Sequence, residues 1–227
     1  MISFWRIVWL ILRKDLAVEV RTRELLYTTM FFALSCVLIF AVAFVREGKT
    51  LTDAAAGILW IAIAFAGTLA LGRSFERERY NDTLRALMLG PAVRPAIYVA
   101  KLAGILVLLA ATELLTVPLV ALLFSEPLFD RPLLLMALLV LGTIGFACVG
   151  TLFAAMLARA RSRDVLLPLL LYPVTIPVMI AGVRGTSALL DAEPNIAMAQ
   201  FWIVLLLFFD VVFITLSLWT FEPLMTE

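Results

Sequence analysis

The chain of 227 residues contains no histidine. That one absence removes the commonest metal ligand, the usual general base near neutral pH and the usual axial ligand of haem iron. Cysteine is nearly absent too. Cys36 and Cys148 each sit inside an apolar run, so they read as packing residues and not as a disulfide, a redox pair or a metal site. Charge is scarce at 15% of residues, where soluble chains carry about 25%. No GxxxxGK(S/T) phosphate loop, GxSxG elbow, HExxH helix or CxxC pair occurs. The chain is therefore not expected to bind ATP in the usual way or to carry a catalytic residue. No cleavable signal peptide is expected either, because the apolar patch Ile7–Leu12 is short and no cleavage pattern follows it.

What is present is hydrophobic. Apolar residues make up 64% of the chain and the mean hydropathy is +1.08, which excludes an ordinary soluble domain. Six apolar runs follow a charged start: 25–45, 54–71, 102–124, 133–157, 165–183 and 201–220. Their lengths bracket the roughly 20 residues that cross a hydrocarbon core. Backbone groups in lipid must be satisfied internally, so the runs predict helices and not strands. Residues 1–24 mix Trp5, Trp9, Leu12 and Leu16 with Arg6, Arg13, Lys14, Arg21 and Arg23. Trp settles at headgroup level and basic side chains snorkel there, so this segment predicts an interfacial helix. The expected fold is an all-α integral membrane protein forming a single transmembrane domain over 1–227.

Basic residues outside the runs set the orientation. The N-terminus carries five, the 72–101 loop six and the 158–164 loop three, fourteen on one side. The 46–53, 125–132 and 184–200 loops carry two, one and one, four on the other. The positive-inside rule places both termini and the 72–101 loop in the cytoplasm. Membrane-flanking charge also explains the runs FERER and RARSRD without nucleic acid.

Three further features stand out. Residues Phe75–Pro91 read FERERYNDTLRALMLGP, a short amphipathic helix with Leu84, Leu87 and Met88 on one face, closed by Gly90 and Pro91. Two readings fit it: a solvated helix lying on the membrane, or a coupling helix that docks a soluble partner through Phe75, Glu76, Arg77, Glu78 and Arg79 and its apolar face. Cytoplasmic placement and the missing phosphate loop favour the second. Next, Glu113 and Asp210 fall in the middle of the third and sixth runs. An acidic residue there costs about 2.5–3.5 kcal/mol on insertion scales and should face the protein interior. Both are expected to be hydrogen-bonded, by hydroxyls such as those of Thr112, Thr116 or Thr215. They read either as a polar lining or trigger of a translocation path or as structural bonds between helices. Third, Pro168, Pro173 and Pro177 interrupt the fifth run, which predicts a kinked or broken helix. Short helices dipping back toward the outer surface are expected in Arg184–Gln200. Small residues every four positions, Ala62, Ala66 and Ala70 and again Gly150, Ala154 and Ala158, predict close helix contact within the chain or across a dimer seam.

Several stretches together resemble the haem exporter protein B family of the cytochrome c maturation system. They are RKDLAVEVRTRE (Arg13–Glu24), GILW with FAGTLALGRSFERERYNDTLRALMLGPAVRPAIYVAK (Gly57–Lys101), LGTIGFACVGTLFAAMLARARSRDVLLPLLLYPVTIPVMIA (Leu141–Ala181) and FFDVVFITLSLWTFEPLMTE (Phe208–Glu227). The closing EPLMTE is less acidic than the family's ending and lacks its aromatic. The resemblance implies an ABC-2-type (type V-like) exporter permease in the bacterial inner membrane. It implies two copies of this chain paired with two cytoplasmic ATPase subunits, a haem-handling membrane protein, a small single-span protein and, indirectly, a periplasmic haem chaperone. Haem would be the handled ligand and ATP would enter only through the partner. A permease for a lipid or other hydrophobic solute stays open beside this. So do a secondary transporter driven by protons through Glu113 and Asp210, for which the two halves show no internal repeat, and a structural anchor for haem-handling partners.

Overall fold

The computed structural model describes residues 4–44, 52–74, 94–160, 162–191 and 193–224. These form seven α-helices: α1 Phe4–Thr22, α2 Glu24–Phe44, α3 Thr52–Ser74, α4 Arg94–Phe124, α5 Pro132–Met156, α6 Arg163–Leu190 and α7 Ile196–Leu224. Six of them, α2 to α7, are long and apolar enough to cross a membrane, and no strand occurs among the described residues.

Helix ends follow local chemistry. Arg23 adopts a left-handed backbone with φ 53°, and its N–H reaches Glu19 O at 2.6 Å, which stops α1. The Glu19 carboxylate then accepts the Leu26 N–H at 2.9 Å and so supplies a cap to α2. Ser125 repeats the device at the end of α4 with φ 53°, and the Glu126 N–H bonds back to Ala121 O at 3.2 Å, closing the last turn. Asn195 caps α7 by accepting the Met198 N–H at 3.0 Å.

α3 and α5 form the centre. In α3, 67% of the spanning window is buried, and in α5 61%, against 22% for α2 and α7. α5 touches α3, α4, α6 and α7, while α1 lies against α4. The central contacts depend on absent side chains. Trp60 of α3 is buried, and its indole rests on Gly142 of α5 and Gly182 of α6, where a Cβ would overlap the ring. Its N–H donates to Thr186 Oγ1 at 3.0 Å. Gly150 likewise receives Leu71. Ala62, Ala66 and Ala70 are fully buried, and Ala154 and Ala158 nearly so, so both small-residue series pack inside the chain.

Two expectations shift. α4 starts at Arg94, eight residues before the apolar run, because Lys101 is neutralised at 2.8 Å by Asp15 of α1 and does not end the helix. α6 continues past Arg184 to Leu190, and α7 begins at Ile196. The described part of Arg184–Gln200 therefore holds the ends of two long helices and no separate short ones. The exposed side of Arg184 keeps its charge outside while the helix continues. On α1, Val8 and Ile11 are buried and Trp5 and Trp9 are exposed, so the tryptophans face away from the bundle.

Candidate functional site: a polar seam at mid-membrane depth

Two carboxyl side chains meet α5 from opposite sides near its middle. Glu113 lies eleven residues before the end of α4, and Thr143 eleven residues after the start of α5. The antiparallel helices bring them to the same depth. Thr143 Oγ1 donates to Glu113 Oε1, and both residues are buried. The hydroxyl that meets Glu113 is thus on the neighbouring helix. Thr112 and Thr116 bond instead to Leu108 O and Thr112 O of their own helix at 3.0 Å each. Thr215 bonds to Val211 O at 2.7 Å. A threonine in an apolar helix turns back onto the carbonyl one turn earlier, and helix neighbours one apart do not face each other, so adjacency in sequence was the wrong guide.

Asp210 of α7 is buried beside Gly145 of α5 and Val178 of α6. A Cβ at position 145 would lie 2.7 Å from Asp210 Oδ1. Neither carboxylate oxygen has a hydrogen-bond partner among the described residues. Positions 143 and 145 are about 200° apart around a helix, which is why α4 and α7 approach different faces of α5. Two turns further along α7, Ser217 lies on the Asp210 stripe. Its hydroxyl is 3.5 Å from Cys148 Sγ. The Tyr98 hydroxyl donates to Cys148 O at 3.0 Å and lies 3.0 Å from the same sulfur. Cys148 is a free, buried thiol, and Cys36 is a free thiol of α2, half-buried.

Chemically the seam offers buried hydrogen-bonding groups and two acids in an otherwise apolar interior. Thr143→Val, which keeps shape and removes the hydroxyl, is expected to destabilise the bundle by about 1–3 kcal/mol, read as a lower thermal midpoint in detergent. Thr143→Ser should restore it.

Of the residues singled out from sequence, Glu113 and Asp210 are both at this seam. Pro168, Pro173 and Pro177 lie within α6, which runs through them without interruption. Phe75, Glu76, Arg77, Glu78, Arg79, Leu84, Leu87, Met88, Gly90 and Pro91 lie outside the described residues. The helices that bound their segment end at Ser74 and begin at Arg94. Beside those ends, Lys101 Nζ donates to Ser74 O at 3.4 Å and pairs with Asp15, tying α1, α3 and α4 together. Sequence reasoning missed Thr143, Gly145, Tyr98 and Ser217. The i, i+7 spacing of Asp210 and Ser217 was the available signal.

The model of the family described as CcmB protein matches residues 6–223. Heme exporter protein B of Haemophilus influenzae is 29% identical over 170 residues, 75% of this chain and 76% of that protein. The Pseudomonas aeruginosa protein of the same name is 29% identical over 175 residues, 77% of this chain and 78% of its own length. That of Paracoccus denitrificans is 33% identical over 157 residues, 68% and 70% respectively. With six membrane-length helices, the match makes this a multi-pass protein of the bacterial inner membrane, and the chain belongs to the CcmB protein family.

Proposed function

We propose that the chain is the non-catalytic membrane permease subunit of an ABC transporter complex for cytochrome c maturation. It couples ATP hydrolysis by a separate ATPase subunit to haem export or to release of a haem-loaded periplasmic chaperone. The observation that carries this reading is the family match over residues 6–223, nearly the whole of a six-helix membrane body. The complex holds two copies of the chain, two ATPase subunits, a haem-handling membrane protein and a small single-span protein. Without a histidine, this subunit lacks the usual ligand for iron, and haem ligation falls to a partner.

Coupling runs from the cytoplasmic stretch between Ser74 and Arg94 into α3 and α4, which bound it. A push there moves α3, whose Trp60 is seated on α5 and α6, and α4, whose Glu113 is bonded to α5. Packed interfaces with two discrete arrangements pass such shifts on. The test is co-purification from membranes. The ATPase should follow this chain, and Glu76→Arg with Glu78→Arg should cut its recovery by about ten-fold, a change of about 1.4 kcal/mol in association. Recovery at normal stoichiometry would remove the docking role from this segment.

A further inference from the structure

Helix α1 turns Val8 and Ile11 to the bundle, and both of its carboxylates are engaged by neighbouring groups. Asp15 pairs with Lys101 of α4 at 2.8 Å, and Glu19 accepts the Leu26 N–H at 2.9 Å. Just past the end of α1, Glu24 pairs with Arg73 of α3 at 3.1 Å. Three arginines of α1 differ. Arg6, Arg13 and Arg21 are exposed, and none of them makes a hydrogen bond or ion pair among the described residues.

At about 100° per residue, these three arginines fall within a sector of about 80° on the helix surface, with Leu10 and Ala17 between them. Asp15 and Glu19 lie at least about 120° away from each of them, so the sector holds no carboxylate. The adjoining sector is apolar and carries Trp5, Trp9, Leu16 and Val20. Trp5 and Trp9 are 70% and 60% exposed, and Val20 is exposed as well. Two bare indoles beside three unpaired guanidinium groups suit the headgroup layer, where aromatic rings meet the upper acyl chains and cations meet phosphates. The connectivity puts the helix there, since Arg23 alone separates α1 from the spanning helix α2.

We propose that this outward face of α1 is a binding surface for anionic phospholipid headgroups. Arg6, Arg13 and Arg21 take their phosphodiesters, and Trp5, Trp9 and Val20 sit among the upper acyl chains. A guanidinium meets two oxygens of one phosphodiester at once. Charge complementarity does the selecting: the ammonium of a zwitterionic headgroup would find three cations and no acid on this face. In the orientation set by the basic loops, the leaflet is the cytoplasmic one. Lipid then holds α1 from outside, as Asp15 holds it from within.

The test uses the full-length protein with photoreactive p-benzoylphenylalanine in place of Ala17, in nanodiscs of equal parts phosphatidylglycerol and phosphatidylcholine. Ala17 is exposed among the arginines, and mass spectrometry of the adducts after illumination reads the lipid beside it. Phosphatidylglycerol should be captured in excess. Each of Arg6→Gln, Arg13→Gln and Arg21→Gln should lower the ratio by a factor of up to about five, and the three together should bring it to about one. Lysine at the same three positions should keep most of the excess. The same probe in place of Phe208, exposed on α7, should take both lipids equally. Equal capture at position 17 with all three arginines present, an undiminished excess in the triple glutamine variant, or a lysine variant that loses the excess as fully would each overturn the proposal. So would loss of a co-purifying ATPase subunit from the triple glutamine variant with its lipid ratio unchanged, which would mark the face as a protein contact.

Discussion

Gly182→Ala and Gly142→Ala are each expected to remove most of the correctly folded protein from the membrane. The cause is a rigid ring with no room to move. The Trp60 indole lies against both glycines, so a methyl group at either position overlaps it. The N–H to Thr186 further fixes its orientation. Overpacking of this kind costs about 1–3 kcal/mol where side chains can adjust. Here the ring is held by α5 and α6 at once, so each variant belongs at or above the top of that range. The measurement is the thermal midpoint and monodisperse yield in detergent. The diagnostic is coupling: Trp60→Leu destabilises on its own by leaving a cavity, yet Trp60→Leu with Gly182→Ala should be more stable than the two single effects added. Contacting residues show such interaction energies of about 0.5–3 kcal/mol. Strict additivity would mean that the glycine is not answering to the ring.

The second large effect is functional. Asp210→Asn is expected to abolish assembly of c-type cytochromes while leaving the thermal midpoint unchanged or higher. A carboxyl group at mid-membrane costs about 2.5–3.5 kcal/mol on insertion scales. Asp210 is buried with neither oxygen hydrogen-bonded among the described residues, so no such bond offsets that cost. A residue that burdens the fold in this way is best understood through what the protein does with it. Gly145→Ala should reproduce the functional loss, because its Cβ would stand 2.7 Å from Asp210 Oδ1. Full activity in Asp210→Asn would show that the acidic group is dispensable. A large fall in thermal midpoint would show that it is a structural bond.

The long helices were legible because lipid imposes one simple pattern, a continuous apolar run. Their ends were less so. Lys101 looks like a boundary in sequence, but a carboxylate from α1 neutralises it and the helix begins seven residues earlier, at Arg94. Arg184 looks like another, yet an exposed guanidinium lets α6 continue to Leu190. The two mid-membrane acids were visible from composition alone, since a charge inside an apolar run is conspicuous. Their partners were not. Thr143 is thirty residues from Glu113, and only the antiparallel register of α4 and α5 joins them. The role of Gly142 and Gly182 was hidden for the same reason: a glycine in a span shows in sequence, whereas the indole it admits comes from a helix far along the chain.

The central claim, a membrane subunit serving cytochrome c maturation, meets its most direct test in a deletion strain. Covalently attached haem in c-type cytochromes and haem carried by the periplasmic chaperone are measured with and without the restored gene. The expected result is loss of c-type cytochromes together with an altered pool of haem-loaded chaperone, both reversed by the wild-type gene. Normal levels of both in the deletion strain would contradict the account.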